Sequence, residues 1–208
     1  MNNRQNLREL MKQKRTQLAA ATRAEFSSVI VKHLRDSLKL KKGDTVGFCT
    51  PIQNEPDILP LVLHWQEQGV ITAMAKVVAK NAPLFFIPWR QNEALCSDAC
   101  GILAPLSNKG VIPQILLIPL LAFDSQGFRL GYGGGYFDRT LAEHNFYAVG
   151  IGYEMNRVVS IFAQKHDQKL NAIATEAGFF NFPRSTQKNF QKNNAFTVEK
   201  CKIVVDSN

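Results

Sequence analysis

The chain has little cysteine, and the four it has form no pattern. Cys49, Cys96, Cys100 and Cys201 are scattered through 208 residues, and only Cys96 and Cys100 lie close together. No histidine cluster accompanies them. Neither a disulfide framework nor a cysteine–histidine metal site is therefore expected, and reduced thiols in a cytoplasmic protein are the default. Long apolar runs are also missing. The longest, ILLIPLLAF (115–123), is far too short to cross a bilayer. The first ten residues, MNNRQNLREL, contain no apolar segment of the secretory type. No internal repeat is visible, and no Ser/His or Cys/His arrangement announces a side-chain nucleophile.

Acidic residues are scarce in one place only. Residues 1–42 hold eleven Lys/Arg against Glu9, Glu25 and Asp36, and the remaining 166 residues hold fourteen of each sign. The whole excess of +8 thus sits in the first fifth of the chain. A basic segment of this kind suits nucleic acid, a membrane surface, an anionic small molecule, or simply a solvated helix face.

What is present reads as alternating helices and strands. Leu7, Leu10, Met11 and Leu18 mark one face of a first helix. TRAE (22–25) has the form of a capping box for a second, carrying Phe26, Val29, Ile30, Leu34 and Leu38, with Gly43 as its stop. TVGFCT (45–50) reads as a strand, and NEPDILPLVLHWQEQG (54–69) as a helix with Asn54 or Glu55 near its cap. VITAMAKVV, PLFFIPW, ILLIPLL (115–121), YAVGIGY (147–153) and AIATEA (172–177) read as strands, the third covered on both faces. DRTLAEH continues as helix from the glycine-rich stretch before it. The pattern predicts an α/β protein: a three-layer α/β/α, Rossmann-like fold with a mostly parallel sheet. Residues 1–182 form its single domain. Residues 183–208 form a polar linker and tail, in which FTVEKCKIVV (196–205) is an edge strand or a loose end.

The densest chemistry is RLGYGGGYFDR (129–139), with four glycines in five positions. It follows a buried strand and opens a helix. Glycines there let the backbone approach a ligand closely, and successive N–H groups with a helix N-terminus behind them favour an anion. Tyr136 occupies the sixth position, so this is not a dinucleotide fingerprint. No Gly-Lys-Ser/Thr follows, so it is not a Walker A loop. A phosphate cradle remains, with Arg129 and Arg139 as flanking charge and Asp138 as a carboxylate for Mg²⁺. The alternative is a glycine-rich turn with Asp138 as an ordinary helix-start residue.

These residues carry a resemblance. IPLLAFDSQGFRLGYGGGYFDRTL (118–141) resembles the signature of the 5-formyltetrahydrofolate cyclo-ligase family, also called 5,10-methenyltetrahydrofolate synthetases. LRELMKQKRTQL (7–18) is similar to that family's basic N-terminal helix, PIQNEPDI (51–58) to the segment after its first strand, and HDQKLNAIATE (166–176) to its last strand. The resemblance implies ATP- and Mg²⁺-dependent conversion of 5-formyltetrahydrofolate to 5,10-methenyltetrahydrofolate, through a phosphorylated formyl intermediate, with release of ADP and phosphate. It implies that Arg129 and Asp138 are catalytic and that Asp138 serves the metal. ATP would be held by Arg4, Arg8, Arg129, Gly131, Tyr132, Gly133, Gly134, Gly135, Tyr136, Phe137 and Asp138. The folate would meet Glu55, Trp89, Tyr136 and Tyr153, with Phe85 beside Trp89 as an aromatic wall. A carboxylate such as Glu55 can accept two parallel N–H bonds from the pterin edge. Glu55 as a helix-start carboxylate, and Phe85 and Trp89 as core, are the alternatives from the residues alone. His166 and Asp167 read first as a local cap.

Two positions depart from the resemblance. Arg4 stands where the family has Lys, and Ala104 stands where it has Glu in GILAP (101–105). Arg and Lys are not interchangeable at a binding site. A non-catalytic or repurposed relative that binds nucleotide or folate is the competing expectation. A nucleic-acid module lacks the interleaved aromatic and basic residues of single-strand binders. The expected partners are small molecules, including a folate that carries a polyglutamate tail, with no nucleic acid, no membrane and a monomeric chain.

Overall fold

The computed structural model describes residues 3–182. The linker, the segment 196–205 and Cys201 lie outside the described residues. In chain order the elements are α1 (Asn3–Gln17), α2 (Ala20–Ser37), β1 (Thr45–Phe48), α3 (Leu59–Glu67), β2 (Ile71–Lys76), β3 (Phe85–Pro88), β4 (Leu95–Ser97), β5 (Leu103–Pro105), β6 (Ile115–Pro119), β7 (Ala122–Phe123), β8 (Arg129–Leu130), α4 (Tyr136–Glu143), β9 (Tyr147–Ile151), β10 (Ala172–Thr175) and β11 (Gly178–Asn181).

Seven strands form one sheet in the order β11-β10-β9-β6-β1-β2-β3. The five inner strands are parallel, and β3 and β11 close the two edges antiparallel. Alternation along the strands divides the core. Val46, Phe48, Leu117, Val149, Ile151, Ala172 and Ala174 pack with Ile30 and Leu34 of α2 and Leu61, Val62 and Trp65 of α3. Ala73, Ala75, Leu116, Ile118, Ala148 and Ile173 face the other way, toward Leu141 of α4 and Phe146. The fold is therefore α/β, with helices on both faces of a mostly parallel sheet, as the alternation predicts. Trp65 is 1% exposed; truncating such a side chain to alanine destabilises by about 3–5 kcal/mol.

Several boundaries differ from the sequence pattern. α2 begins at Ala20, and Ala19 caps it without a side-chain bond. Thr22 is thus already inside the first turn and no capping box forms, because two alanines extend the helix backwards. α2 stops at Ser37; Gly43, at φ 88, belongs to the turn before β1. α3 starts only at Leu59, with proline in its first turn. Gln53 and Asn54 both have positive φ, and the Glu55 amide donates to the Ile52 carbonyl. That turn leaves Glu55 in an irregular loop rather than at a helix cap. The hairpin of β4 and β5 and the edge strand β11 were not expected.

Along the parallel core the order runs β2-β1-β6-β9-β10, so the chain reverses direction of travel between β1 and β6. Ligands of open α/β sheets bind beyond the carboxyl ends of the strands at such a reversal.

Candidate active site

A cleft of about 410 Å³ opens at that point. Cys49 and Thr50 after β1 and Pro119 at the end of β6 form its floor. Over them come Arg4 and Arg8 from α1, Glu55, Arg129, the run Gly131–Asp138, and Asp167. The structure therefore gathers in one cleft the sequence-predicted residues Arg4, Arg8, Glu55, Arg129, Gly131, Tyr132, Gly133, Gly134, Gly135, Tyr136, Phe137 and Asp138.

The glycine turn has the form of a cradle. Gly133 and Gly135 take φ of 105 and 66, where a side chain is strained. The Arg8 guanidinium donates from Nε to the Gly131 carbonyl at 2.9 Å, and Arg139 donates from Nη2 to the Gly134 carbonyl at 2.6 Å. With the carbonyls held this way, the backbone N–H groups of residues 131–135 make no hydrogen bond among the described residues. The first turn of α4 continues the series. Unpaired donors in a row beside a helix N-terminus suit phosphate oxygens.

Asp138 and Arg129 form one unit. Arg129 is 5% exposed. It donates from Nη2 to Asp138 Oδ1 at 2.9 Å and from Nη1 to the Gln168 carbonyl at 2.8 Å. The Gln168 amide also donates to Asp138 Oδ1 at 3.0 Å. Burial lowers the Arg129 pKa, and the Asp138 charge opposes that. Both bonds fall on Oδ1, so the arrangement fixes the carboxyl without engaging Oδ2. Among the described residues no three His, Cys, Asp or Glu side chains group into a self-sufficient metal site. Asp138 fits a magnesium ion only as one carboxylate beside phosphate oxygens and waters, which is how Mg²⁺ is commonly held.

Arg4 is 8% exposed and grips Asp167 with two bonds, 2.5 Å and 3.1 Å. Burial disfavours the Asp167 charge, but the Arg4 bond, the Gln164 amide and the Arg4 and His166 charges outweigh it and hold the carboxyl below its ordinary range. Arg8 is pulled down by burial and by Arg4 beside it. Asp167 thus pins the N-terminus of α1 over the cleft rather than merely capping its own loop.

Glu55 is 7% exposed. Its Oε1 accepts from the Tyr132 hydroxyl at 2.5 Å, and its Oε2 accepts from the Ile52 amide at 2.9 Å. Burial pushes its carboxyl above the usual range, and the Tyr132 and Ile52 bonds and the Arg15 charge pull it back. Tyr132 spans the cleft from the glycine turn to Glu55, which explains an aromatic residue among glycines.

Several expectations need correction. Trp89 does not line the cleft; it packs against Phe48 in the core at 6.0 Å between ring centroids. Phe85, on the same edge strand β3, is not at the cleft either. Tyr153 is fully buried against Phe26, with its hydroxyl donating to the Asn54 carbonyl at 3.2 Å. It braces the Glu55 loop from behind. Arg139 bonds the Ala82 and Gly134 carbonyls and tethers the turn instead of lining the cleft. Ala104 is fully buried in the β4–β5 hairpin and is not a lining residue.

One residue escaped the sequence pattern. Arg15 is 1% exposed and donates from Nη2 to the Tyr132 hydroxyl at 2.5 Å. The buried positions of α1 are Arg4, Met11 and Arg15, while Leu10 is 45% exposed. Arginines at i, i+4 and i+11 (Arg4, Arg8 and Arg15), along the stripe that holds Met11, were the available signal.

Known proteins share the sequence pattern and the fold. A profile of the 5-formyltetrahydrofolate cyclo-ligase family matches residues 1–176. The 5-formyltetrahydrofolate cyclo-ligase of Haemophilus influenzae is 26% identical over 177 residues, spanning 80% of this chain and 94% of the relative. That of Escherichia coli K12 is 27% identical over 177 residues, spanning 80% and 96%. The solution structure of Aquifex aeolicus 5,10-methenyltetrahydrofolate synthetase aligns with a TM-score of 0.76 at 25% identity, covering 91% of this chain and 99% of that one. The Mycoplasma pneumoniae synthetase shares the fold, with a TM-score of 0.67 at 23% identity, covering 84% and 99%. With the profile spanning all but the C-terminal tail, the chain belongs to the 5-formyltetrahydrofolate cyclo-ligase family.

Proposed function

We propose that this chain closes the ring of 5-formyltetrahydrofolate to give 5,10-methenyltetrahydrofolate, using ATP and releasing ADP and phosphate. The observation that carries the reading is a run of backbone N–H groups, residues 131–135, without hydrogen-bond partners among the described residues, in the same cleft as a buried carboxylate, Glu55. One suits a phosphate chain and the other an amino-pyrimidine edge, so two substrates can meet there.

The chemistry asks for positioning and charge neutralisation rather than a nucleophilic side chain. The formyl oxygen attacks the γ-phosphorus, the bond from that phosphorus to the ADP oxygen breaks, and N10 then adds to the activated carbon. The N10 proton and the phosphate depart, leaving the methenyl bridge. In this scheme Arg8 and the 131–135 amides hold the phosphates. Arg129 fixes Asp138, and Glu55 orients the pterin. Magnesium, when bound at Asp138, neutralises phosphate charge. Gly133 and Gly135 permit the close approach. Tyr136 and Phe137 wall the cleft. The chain acts as a monomer in this scheme, and a polyglutamate tail would extend toward solvent from the cleft.

Arg4, a cationic residue type like lysine, bonds Asp167 and the Phe162 carbonyl, and Ala104 lies away from the lining. Neither departure removes a group the scheme uses. Purified protein given 5-formyltetrahydrofolate, ATP and Mg²⁺ is expected to form the methenyl product, followed by its absorbance. Omission of ATP abolishes it. A folded protein that yields no product under these conditions overturns the reading.

A further inference from the structure

Arg15 is the least economical residue of the molecule if its task is to pack a helix. It is 1% exposed, yet its Nε and Nη1 have no hydrogen-bond partner. Burying a guanidinium with most of its donors idle is unfavourable unless an opposite charge is close. Among the described residues the only carboxylate within ion-pair range is Glu55, whose Oε1 lies 3.9 Å from Arg15 Nη1. Between them stands the Tyr132 hydroxyl, accepting from Arg15 and donating to Glu55, both at 2.5 Å. The helix, the glycine turn and the carboxylate are therefore joined in a line through one hydroxyl.

The other groups around Glu55 do not replace this one. Cys49, just after β1, is a thiol whose pKa burial pushes up. Tyr153 reaches the Asn54 carbonyl and Ser27 rather than Glu55, and Arg23 from α2 and Asp57 line a neighbouring pocket on its far side. Lys12 lies over the Tyr132 ring, 5.5 Å from its centroid, and Arg15 is the cation within ion-pair range of Glu55 among the described residues.

We propose that Arg15 is a positioning residue. Through Tyr132 it keeps the Glu55 carboxylate ionised and aimed into the cleft, and it ties that carboxylate to the glycine turn. The hydroxyl relay and the nearby direct pair on Nη1 offer Glu55 two supports, so the turn can adjust to a phosphate without releasing the pterin carboxylate. This rests on the assignment of Glu55 to the pterin.

The test follows the charge rather than the fold. Arg15→Met removes the charge, Arg15→Gln keeps hydrogen bonding without it, and Arg15→Lys keeps the charge without the fork. In the Met and Gln variants Glu55 loses its counter-charge in a buried site, so its carboxyl rises further. Activity that needs ionised Glu55 is lost as pH falls through that value, so the acid limb of kcat/KM moves to higher pH, by about one pH unit. KM for 5-formyltetrahydrofolate rises about tenfold near neutrality, and Arg15→Lys restores most of both. Carbon-13 NMR of the Glu55 carboxyl, assigned with Glu55→Gln, reads the same titration without turnover. An unmoved Glu55 titration in both Met and Gln variants, or a Lys variant that behaves like Met, overturns the proposal. A shifted titration in a protein without turnover supports the Arg15 role and removes the assigned reaction instead.

Discussion

Arg129 and Asp138 show how much one residue pair carries at the mouth of the cleft. Arg129 satisfies the Gln168 carbonyl and fixes Asp138, and the pair is largely shielded from solvent. Asp138→Ala removes the only carboxylate of the glycine turn, and the expected loss in kcat/KM is about 100-fold or more. Arg129→Ala loses as much and also strands two acceptors, so urea denaturation should show a stability loss of about 2–3 kcal/mol. Wild-type kinetics in both variants would refute the site assignment. At this scale the glycines, Arg129 and Asp138 were legible because their types are rarely clustered without a ligand. Trp89 and Tyr153 were misread because an aromatic residue beside a strand looks alike whether it faces a cleft or the core. Arg15 was invisible to a count of apolar positions, since it occupies one of them.

The glycine turn separates fold from function as an element. A Cβ at Gly131 meets nothing within 4 Å, and no left-handed φ is required there. Gly131→Ala should leave stability within about 0.5 kcal/mol, yet it puts a methyl group in the space where a phosphate would lie. Gly133, at φ 105, is different: alanine there strains the backbone by about 1–3 kcal/mol. Thermal melts and KM for ATP are expected to split the two variants. Gly131→Ala raises KM with an unchanged melt, and Gly133→Ala lowers the melting temperature as well. An unchanged KM in Gly131→Ala means that ATP does not lie against this turn. The element pattern itself was legible where strands are long and buried, as in β6. It failed at the start of α3, where two positive-φ residues and Pro60 delay the helix until after Glu55. That delay is what gives Glu55 its amide partner and its place in the cleft. It also failed at β4, β5 and β11, strands of three or four residues. Strands that short hold too few alternations to show a period.

The sheet order and the charge distribution act together on the whole molecule. The reversal between β1 and β6 opens the cleft, and α1 lies across it with Arg4 and Arg8 among its walls. No helix among the described residues is long and apolar enough to cross a membrane. Beyond residue 42 the chain holds fourteen charges of each sign, and α1, which overlies the cleft, carries five Lys/Arg against Glu9, half of the excess of +8. A field so placed draws anions toward the site, and both proposed substrates are anions. Steering of this kind is screened by salt, because the Debye length falls from about 10 Å at 0.1 M to about 3 Å at 1 M. kcat/KM for ATP and for 5-formyltetrahydrofolate should therefore fall several-fold as ionic strength rises across that range. kcat should hold, since Arg129, Asp138 and Glu55 are shielded from the solvent ions. Charge-neutralising replacement of exposed Lys14 with glutamine should weaken the salt dependence while sparing kcat. A nucleic-acid surface would instead bind oligonucleotides with steep salt dependence and leave the kinetics of both small anions unmoved. Kinetics insensitive to salt in the unmodified protein would show that the N-terminal charge serves packing and Asp167 alone.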